Sequence, residues 1–453
     1  MPSFNSAGVA DYHSDWYLTY SSRIFYPAVL NKITEARNNL STYIQYGHSG
    51  YPNDGFDKYT HAPLIVDAKK SSGDLFRQKS IAAYTVYPKM FSRACSTPNA
   101  NILSATAAQY HLLVDDSGRE EVIGASALVF QNQWNYRQFN SASGRYHTVS
   151  KTDFWRTGKT YEMRSLLKPD GTAAAFVDFS WGTGIPPANW QATNEPALLN
   201  ANSQLLEYKD INGQYFSNKM GYDGAYPIAS AVNARYASFA YSGAEDLAEG
   251  NYFGGEVSGA GKRYKGGAFA HTGEYCVRLN WRDDGFVYEG SVGDGITSDF
   301  YKGQKVRTSV WLHKANKKGG QLICELLNGN TSVGKTAVDF SSASTIVAGD
   351  WSLLTLDFSI PANTTATALR IKTTNTRFMP VYFDDFRVHP LDAAMTAKVY
   401  DPKAGWVTAV LDGNNFGLRY TYDPAGRLIA TEKETTHGWK KVSENIYHFG
   451  RQN

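Results

Sequence analysis

Val-Tyr-Phe-Asp-Asp-Phe-Arg-Val-His-Pro, residues 381–390, is the stretch whose reading decides the fold. Side chains alternate along a strand. Phe386 and Val388 are therefore expected to face a core, and parity carries Asp384 inward with them. A buried carboxylate is costly unless it is paired, hydrogen-bonded or bound to a cation. Either a cation or a backbone amide is expected to meet Asp384. Upstream lie further strand-like runs at Glu274–Leu279, Lys305–His313, Gln321–Leu327, Trp351–Ile360 and Ala368–Thr373, with turn residues between them. Runs of this length and spacing predict an antiparallel β-sandwich over residues 245–392.

Outward from the sandwich the chain stays β-rich. It has 453 residues, enough for two to four domains. With 30 tyrosines and 40 glycines it favours strands and tight turns. Residues 63–200 read as a β-rich domain, with strands expected at Leu64–Ala68, Ile81–Tyr87, Ala107–Val114, Glu121–Gln131, Lys159–Leu167 and Ala173–Phe179. Trp134, Trp155, Trp181 and Trp190 cluster there, as a sugar platform or as caps on a core. In residues 1–62, Val29, Leu30, Ile33, Ala36, Leu40 and Tyr43 fall at helical spacing, which predicts an amphipathic helix over Ala28–Tyr46. Residues 201–244 and 393–453 echo one another. Each holds a strand, an Asp/Asn/Gly turn (Asp210–Gly213, Asp412–Asn414) and a second strand ending in Tyr-Asp (222–223, 422–423). Hairpin repeats of this kind must stack on a neighbour to bury a face.

Charge and motifs exclude several functions. A net charge of +3 without a Lys/Arg block does not point to nucleic acid. No apolar run reaches the roughly 18 residues of a membrane helix. No basic-then-apolar signal comes after Met1, so the sequence reads as cytosolic, or as a piece whose export signal lies elsewhere. Cys95, Cys276 and Cys324 are too few and scattered for a zinc site or a disulfide framework and are expected unpaired, Cys276 pointing away from the core and Cys324 into it. Gly329–Thr336 satisfies the phosphate-loop pattern GxxxxGK[ST]. That chemistry requires a helix after the loop. The residues after Thr336 are strand-like, so a hairpin turn is expected and nucleotide binding is the weaker alternative. Adjacent carboxylates Asp283-Asp284 and Asp384-Asp385 face opposite sides of a strand and form no glycosidase dyad. No catalytic residue is assigned. An active site somewhere in residues 1–200 is the competing reading.

Glycans are held by aromatic faces with a few polar groups. Trp311 and His313 share parity and face outward if Val310 and Leu312 are core. Arg278 lies on the outward side of the neighbouring strand, and Trp281 and Tyr288 lie on strand or loop edges. These five residues are the candidate carbohydrate contacts. In the alternative, Trp311 is core and the sandwich a spacer.

Val-Tyr-Phe-Asp-Asp-Phe, His-Thr-Gly-Glu-Tyr-Cys-Val-Arg-Leu (271–279), Ser-Val-Trp-Leu-His (309–313) and Trp-Ser-Leu-Leu-Thr-Leu-Asp-Phe (351–358) resemble galactose-binding-like jelly rolls. That family includes many carbohydrate-binding modules. The resemblance implies a structural calcium ion, with Glu256, Thr272, Gly273 and Asp384 as its candidate ligands. Gly254-Gly255 departs from the family's more usual Phe-Glu, and Glu249 is the other candidate for the first position. Calcium takes six to eight oxygens, partly carboxylate and partly carbonyl, so the residue types suit it.

Tyr-Asp-Pro-Ala-Gly-Arg-Leu (422–428) resembles the tyrosine–aspartate, or Rhs-type, repeats, and residues 204–223 resemble them more loosely. Such repeats build long spiralling sheets, often a shell around a toxin, in very large exported proteins. The order of β domain, repeat, jelly roll and repeat resembles the C-terminal part of Rhs-related surface proteins of Bacteroidetes-type bacteria. The sequence therefore reads as an all-β, non-enzymatic, structural or adhesive portion of an extracellular or cell-surface protein. Its expected partners are a glycan or surface and the rest of a larger Rhs-like assembly, with neither nucleic acid nor membrane insertion.

Overall fold

The computed structural model describes residues 3–4, 10–11, 30–37, 40–48, 51–90, 102–142, 145–164, 175–181, 186–247, 252–259, 262–294 and 298–447. The fold is all-β, as expected, with one single-turn α-helix among the described residues. Among the described residues no helix is long and apolar enough to cross a membrane. The chain forms two compact units, residues 1–80 with 111–121 and residues 81–110 with 122–453.

In the first unit, Lys32–Arg37 pairs antiparallel with Leu40–Tyr46, which pairs with Ile65–Lys69, which pairs with Leu75–Ala82. The helix expected over Ala28–Tyr46 is thus a hairpin. Ile33, Thr34, Thr42 and Ile44 are β-branched and suit a pleated surface. Ile33 sits opposite Ile44, and both are exposed, so the helical spacing marked no buried face. Asp67 accepts both nitrogens of the Arg77 fork at 2.6 and 2.7 Å. Glu120 takes Arg77 Nη1 at 2.7 Å, Lys79 Nζ, and the Tyr51 hydroxyl at 3.1 Å. This cluster is an interlocked ion network rather than an open catalytic set.

The second unit is a ribbon of antiparallel strands with a sandwich inserted in it. Glu120–Asn140 pairs with Arg145–Met163, and that strand with Trp190–Asn200. The ribbon continues through Leu205–Asp210, Tyr215–Gly221 and Tyr226–Val232. Tyr226–Val232 then pairs with Ala394–Tyr400, placing Ala229 opposite Ala397. Val407–Leu411, Gly417–Tyr422, Leu428–Thr435 and Gly438–Glu444 complete it. The two segments that echo one another in sequence are therefore consecutive stretches of one ribbon. Their turns share a mechanism. Asp210, Asp412 and Asp423 each accept, through Oδ1, the backbone N–H groups two and four residues on, at 2.8–2.9 Å. The residue three positions on has positive φ: Gly213 at 76°, Asn415 at 69° and Gly426 at 81°. Asp-x-x-Gly/Asn is thus the local instruction for each hairpin.

Three expected strands differ. The strand from Leu75 ends at Ala82, and Ala83–Val86 forms a helical turn closed by Tyr87 N–H on the Ala83 carbonyl. Lys159 belongs to a strand ending at Met163. Residues 175–179 are not in a strand. Cys95 and Glu249 lie outside the described residues.

Residues 240–390 fold into two facing sheets. Among the described residues the seven-stranded sheet runs Lys262–Lys265, Tyr275–Leu279, Val381–Pro390, Lys305–His313, Trp351–Ser359, Ile346–Ala348, with Ala240–Ser242 also on Val381–Pro390. The five-stranded sheet runs Phe300–Tyr301, Asp284–Gly293, Ala368–Asn375, Gly320–Asn328, Thr331–Asp339. Between them Val310, Leu312, Leu322, Cys324, Leu354, Ile371, Phe383 and Phe386 form the core, with Phe286 stacked on Phe386 at 5.4 Å. Asn328–Thr331 is a turn, and Thr331–Asp339 a strand paired with Gly320–Asn328. The phosphate-loop pattern is a hairpin, with no helix after Lys335. Cys276 and Cys324 are free and buried.

The closing strand corrects the parity expected of it. Its pairing with Lys305–His313 shifts between Ser309 and Trp311, and Asp385 has φ of 48°. This is a β-bulge. Phe383 and Phe386 both face the core, and Asp384, opposite Trp311, lies on the outer face with Asp385. Phe286→Ala is expected to destabilise the chain by about 3–5 kcal/mol, read as a lowered urea midpoint at unchanged slope.

Candidate functional site

The outer face of the seven-stranded sheet carries Trp311, His313 and Arg278, as the alternation required. It is not open. The segment ending at Thr272 and the C-terminal hairpins lie over it, and Trp311 is 0 % exposed and His313 5 %. The His271 ring stacks on Trp311 at 4.3 Å. The Trp311 indole donates to the Asn415 carbonyl at 2.8 Å, and Phe416 packs edge-on at 5.5 Å. The Trp311 and His313 faces are thus occupied by the chain itself, which corrects the groove expected there. Tyr288 is buried and donates to the Ala237 carbonyl at 2.9 Å. Arg278 is half-buried, and Trp281 alone of the five is exposed.

The same junction gathers charge. His271 Nδ1 lies 2.7 Å from Asp385 and Nε2 lies 2.7 Å from Glu434 on a C-terminal strand, with all three side chains buried. Asp385 also accepts from the Tyr241 hydroxyl at 2.7 Å and from Thr272 Oγ1 at 2.9 Å. Asp384 Oδ2 accepts from the His271 and Thr272 amides at 2.7 and 3.3 Å, and Oδ1 from the Asp385 amide at 2.7 Å. Arg419 donates to the His271 carbonyl and lies over Trp439 at 3.8 Å. Glu434 had no sequence signal linking it to His271, from which it is 163 positions away.

Of the four calcium candidates, Thr272, Gly273 and Asp384 come together and Glu256 does not. Glu256 is forked by Arg137, with Nε at 3.0 and Nη2 at 2.7 Å, and accepts the Tyr236 hydroxyl at 2.6 Å. Lys219 Nζ, fully buried, lies 3.7 Å from it without a hydrogen bond. These cations hold the Glu256 carboxyl down at about 2 despite burial, while burial brings Lys219 down to about 8. Glu245 stands beside Gly273 instead: its carboxylate fills the space a Cβ there would need, and Oε1 accepts the Glu274 and Tyr275 amides at 2.9 and 2.7 Å. Among the described residues no three His, Cys, Asp or Glu side chains are arranged to hold a metal ion. As it stands, this donor set serves backbone amides.

Protonation here has one sign. Burial pushes Glu245 up to about 8, amide hydrogen bonds opposing it and nearby Asp385 adding to it. Burial, then Asp385 and Glu245, raise Asp384 well above the usual carboxylate range. His271 is raised: burial opposes its charge, and its bonds to Asp385 and Glu434 outweigh that. All three groups hold protons in the folded chain that they lose more readily unfolded. Their stabilisation is full below the unfolded values, about 4.3 for Glu and 6.5 for His, and is lost as pH rises through the folded ones. The melting temperature is therefore expected to fall by several degrees between about pH 5 and pH 8. Glu245→Gln is expected to flatten that slope, as read by scanning calorimetry.

The opposite face of the sandwich carries Glu289 paired to Arg370 and Asp284 to Lys372, each at 2.8 Å, beside Val287, Ser291 and Glu325. The edge strand Phe300–Tyr301 adds the exposed ring of Tyr301.

A cleft with a volume of about 980 Å³ lies on the ribbon. Half-buried rings of Tyr87, Phe130 and Trp155 line it, Tyr87 lying 5.8 Å from Phe130 and 5.9 Å from Trp155. Gln131, Gln133, Asn135, Ser150, Arg137, Arg235, Glu195 and Glu207 supply polar groups. Trp134 lines it but is 3 % exposed, its indole shared between the Gln131 and Phe154 carbonyls. Of the four clustered tryptophans, Trp155 and Trp181 are half-buried against the Ala83, Met90 and Ala107 cluster and Trp155 also lines the cleft, while Trp190 is buried against Tyr110, Phe176 and Phe179. The amides alternating along Gln131–Asn135 were the sequence signal for this face. Beneath the wall, Glu256 fixes both Arg137 and Tyr236.

No family model matches the chain, and no curated protein matches it. Part of it aligns with solved carbohydrate-binding modules. The CBM22-1 xylan-binding domain of Paenibacillus barcinonensis Xyn10C aligns at 14 % identity over 33 % of this chain and 92 % of its own, with a TM-score of 0.23. The CBM61 module TmCBM61, solved with β-1,4-galactotriose, aligns at 20 % identity over 30 % and 86 %, TM-score 0.20. The CBM22-1–GH10 modules of Clostridium thermocellum xylanase 10B align at 15 % identity over 35 % of this chain and only 27 % of theirs, TM-score 0.20. The fold assignment rests on the strands and sheets described above.

Proposed function

We propose that this chain is a non-enzymatic, glycan-contacting structural portion of a larger exported or cell-surface protein of the Rhs type, with the ribbon as scaffold and the sandwich as an insertion in it. The observation that supports it is the ribbon cleft, where the half-buried rings of Tyr87, Phe130 and Trp155 lie among amide, hydroxyl and charged side chains. That mixture suits a polyhydroxylated ligand, whose C–H faces stack on rings while its hydroxyls bond to amides. The sandwich's aromatic face is taken up inside the molecule, so the ribbon carries the contact. Isothermal titration of the full chain against a panel of polysaccharides tests the reading. Trp155→Ala is expected to weaken binding about tenfold or more, ~1.4 kcal/mol. Binding unaffected by Trp155→Ala, or absence of binding across the panel, would remove the cleft from the proposal.

Calcium enters the proposal with Glu245 in the position expected of Glu256, beside Thr272, Gly273 and Asp384. The support is the gathering of carboxylates there: Asp384 and Asp385, both buried, and half-buried Glu245. Melting curves in calcium and in chelator decide it. A rise of several degrees in calcium is expected, and superimposable curves would remove the ion.

A further inference from the structure

The sandwich presents a second surface that neither the cleft nor the buried junction uses. At one end Phe378 is 78 % exposed, Met379 60 % and Trp281 38 %. Single exposed apolar residues are ordinary, but three large ones at one tip call for an explanation. Phe378 and Trp281 come from different loops, and their rings lie 4.3 Å apart. The Arg282 guanidinium covers the other part of the Trp281 ring at 4.1 Å. None of Trp281, Phe378 and Met379 lines the clefts at the ribbon or the junction.

The tip is built rather than frayed. Asn375, 1 % exposed, sits at its base and donates to the Leu279 carbonyl at 3.1 Å and the Met379 carbonyl at 2.8 Å. Its Oδ1 accepts the Arg377 amide at 2.9 Å, and its carbonyl accepts the Arg282 amide at 2.8 Å. Asn316 Nδ2 donates to the Pro380 carbonyl at 3.0 Å, and the Thr376 amide donates to the Gly319 carbonyl at 2.9 Å. Three loops are thereby locked together, and the apolar side chains project from a pinned base.

The charge around them is basic. Arg282 and Arg377 flank the rings, and Arg377 Nε donates to the backbone of Lys318, itself exposed. In the neighbouring chain Asp283 accepts the Asn280 amide, and Asp284 is paired with Lys372. Projecting Trp, Phe and Met ringed by Arg and Lys match the two halves of an anionic bilayer surface. Rings and thioether enter the headgroup–acyl boundary, and the cations meet the lipid phosphates.

We propose that the tip formed by Trp281, Phe378 and Met379 with Arg282, Arg377 and Lys318 is a docking surface for an anionic lipid membrane. The contact is peripheral and crosses no bilayer. The test is co-sedimentation of the full chain with vesicles of phosphatidylglycerol and phosphatidylcholine, against pure phosphatidylcholine. Binding is expected to the anionic vesicles and to weaken with salt. Phe378→Ser with Met379→Ser is expected to lower it at least about tenfold at an unchanged melting temperature, since both side chains are mostly exposed. Arg282→Glu with Arg377→Glu is expected to abolish the preference for anionic lipid. Trp155→Ala in the ribbon cleft should leave vesicle binding unchanged, which separates this surface from the glycan reading. Equal binding to both vesicle types, or to neither, overturns the proposal. So does a lipid-free dimer that the Phe378/Met379 variant dissociates, which would assign the tip to a second copy. Loss of polysaccharide rather than vesicle binding in that variant would likewise overturn it.

Discussion

The structure depends on one buried imidazole. His271 spans Asp385 of the closing strand and Glu434 of a C-terminal strand, at 2.7 Å to each. Charges removed from water are tolerated only when paired and hydrogen-bonded, and removing one partner of such a set leaves the others stranded at a cost of several kcal/mol. The ring can satisfy both carboxylates only when the C-terminal hairpins lie on the sandwich. Trp311 beneath it, the Asn415 carbonyl that takes the indole hydrogen, and Arg419 on the His271 carbonyl all repeat that requirement. The contact is therefore specific in register as well as apolar.

The topology makes the contact available. Tyr226–Val232 and Ala394–Tyr400 are adjacent strands, so residues 240–390 leave and rejoin the ribbon at one place. Insertions of this kind are tolerated because a domain's ends commonly lie close together. The ribbon folds back after the insertion and covers the face next to it. A sandwich of this type standing alone would show Trp311, Trp351 and His313 to solvent; here those rings serve cohesion. The ribbon cleft and the loop tip lie on other parts of the unit.

Much of the fold is legible in the sequence because its signals are local. Lys305–His313 and Val381–Pro390 occupy the expected ranges, since alternation over nine or ten residues is hard to mistake. Asp210, Asp412 and Asp423 mark turns, and each closes its turn with the same pair of amides. The failures have local causes too. The helix expected over Ala28–Tyr46 rests on spacing alone, while the β-branched residues there favour strands. The bulge at Asp384–Asp385 left no mark in the alternation, because Phe383 and Phe386 each fit one of two incompatible parities. One extra residue moved Asp384 to the other face.

The candidate site is less legible. Alternation put Trp311, His313 and Arg278 on the outer face of the sheet, and the jelly-roll resemblance grouped Thr272 and Gly273 with Asp384, whose carboxylate takes the His271 and Thr272 amides. Whether that face meets solvent depended on Glu434, Asn415 and Phe416, more than a hundred positions away, whose own pattern says only strand and turn. Glu256 went to Arg137 across 119 positions, and Glu245 took the place beside Gly273. The sequence by itself determined the strands, their turns and the two faces of each sheet, because backbone periodicity and Asx hydrogen bonds act over a few residues. Only the tertiary structure decided which faces are buried, which carboxylates share a proton-rich junction and which aromatic rings stay free, because those outcomes depend on contacts between segments that local chemistry cannot rank.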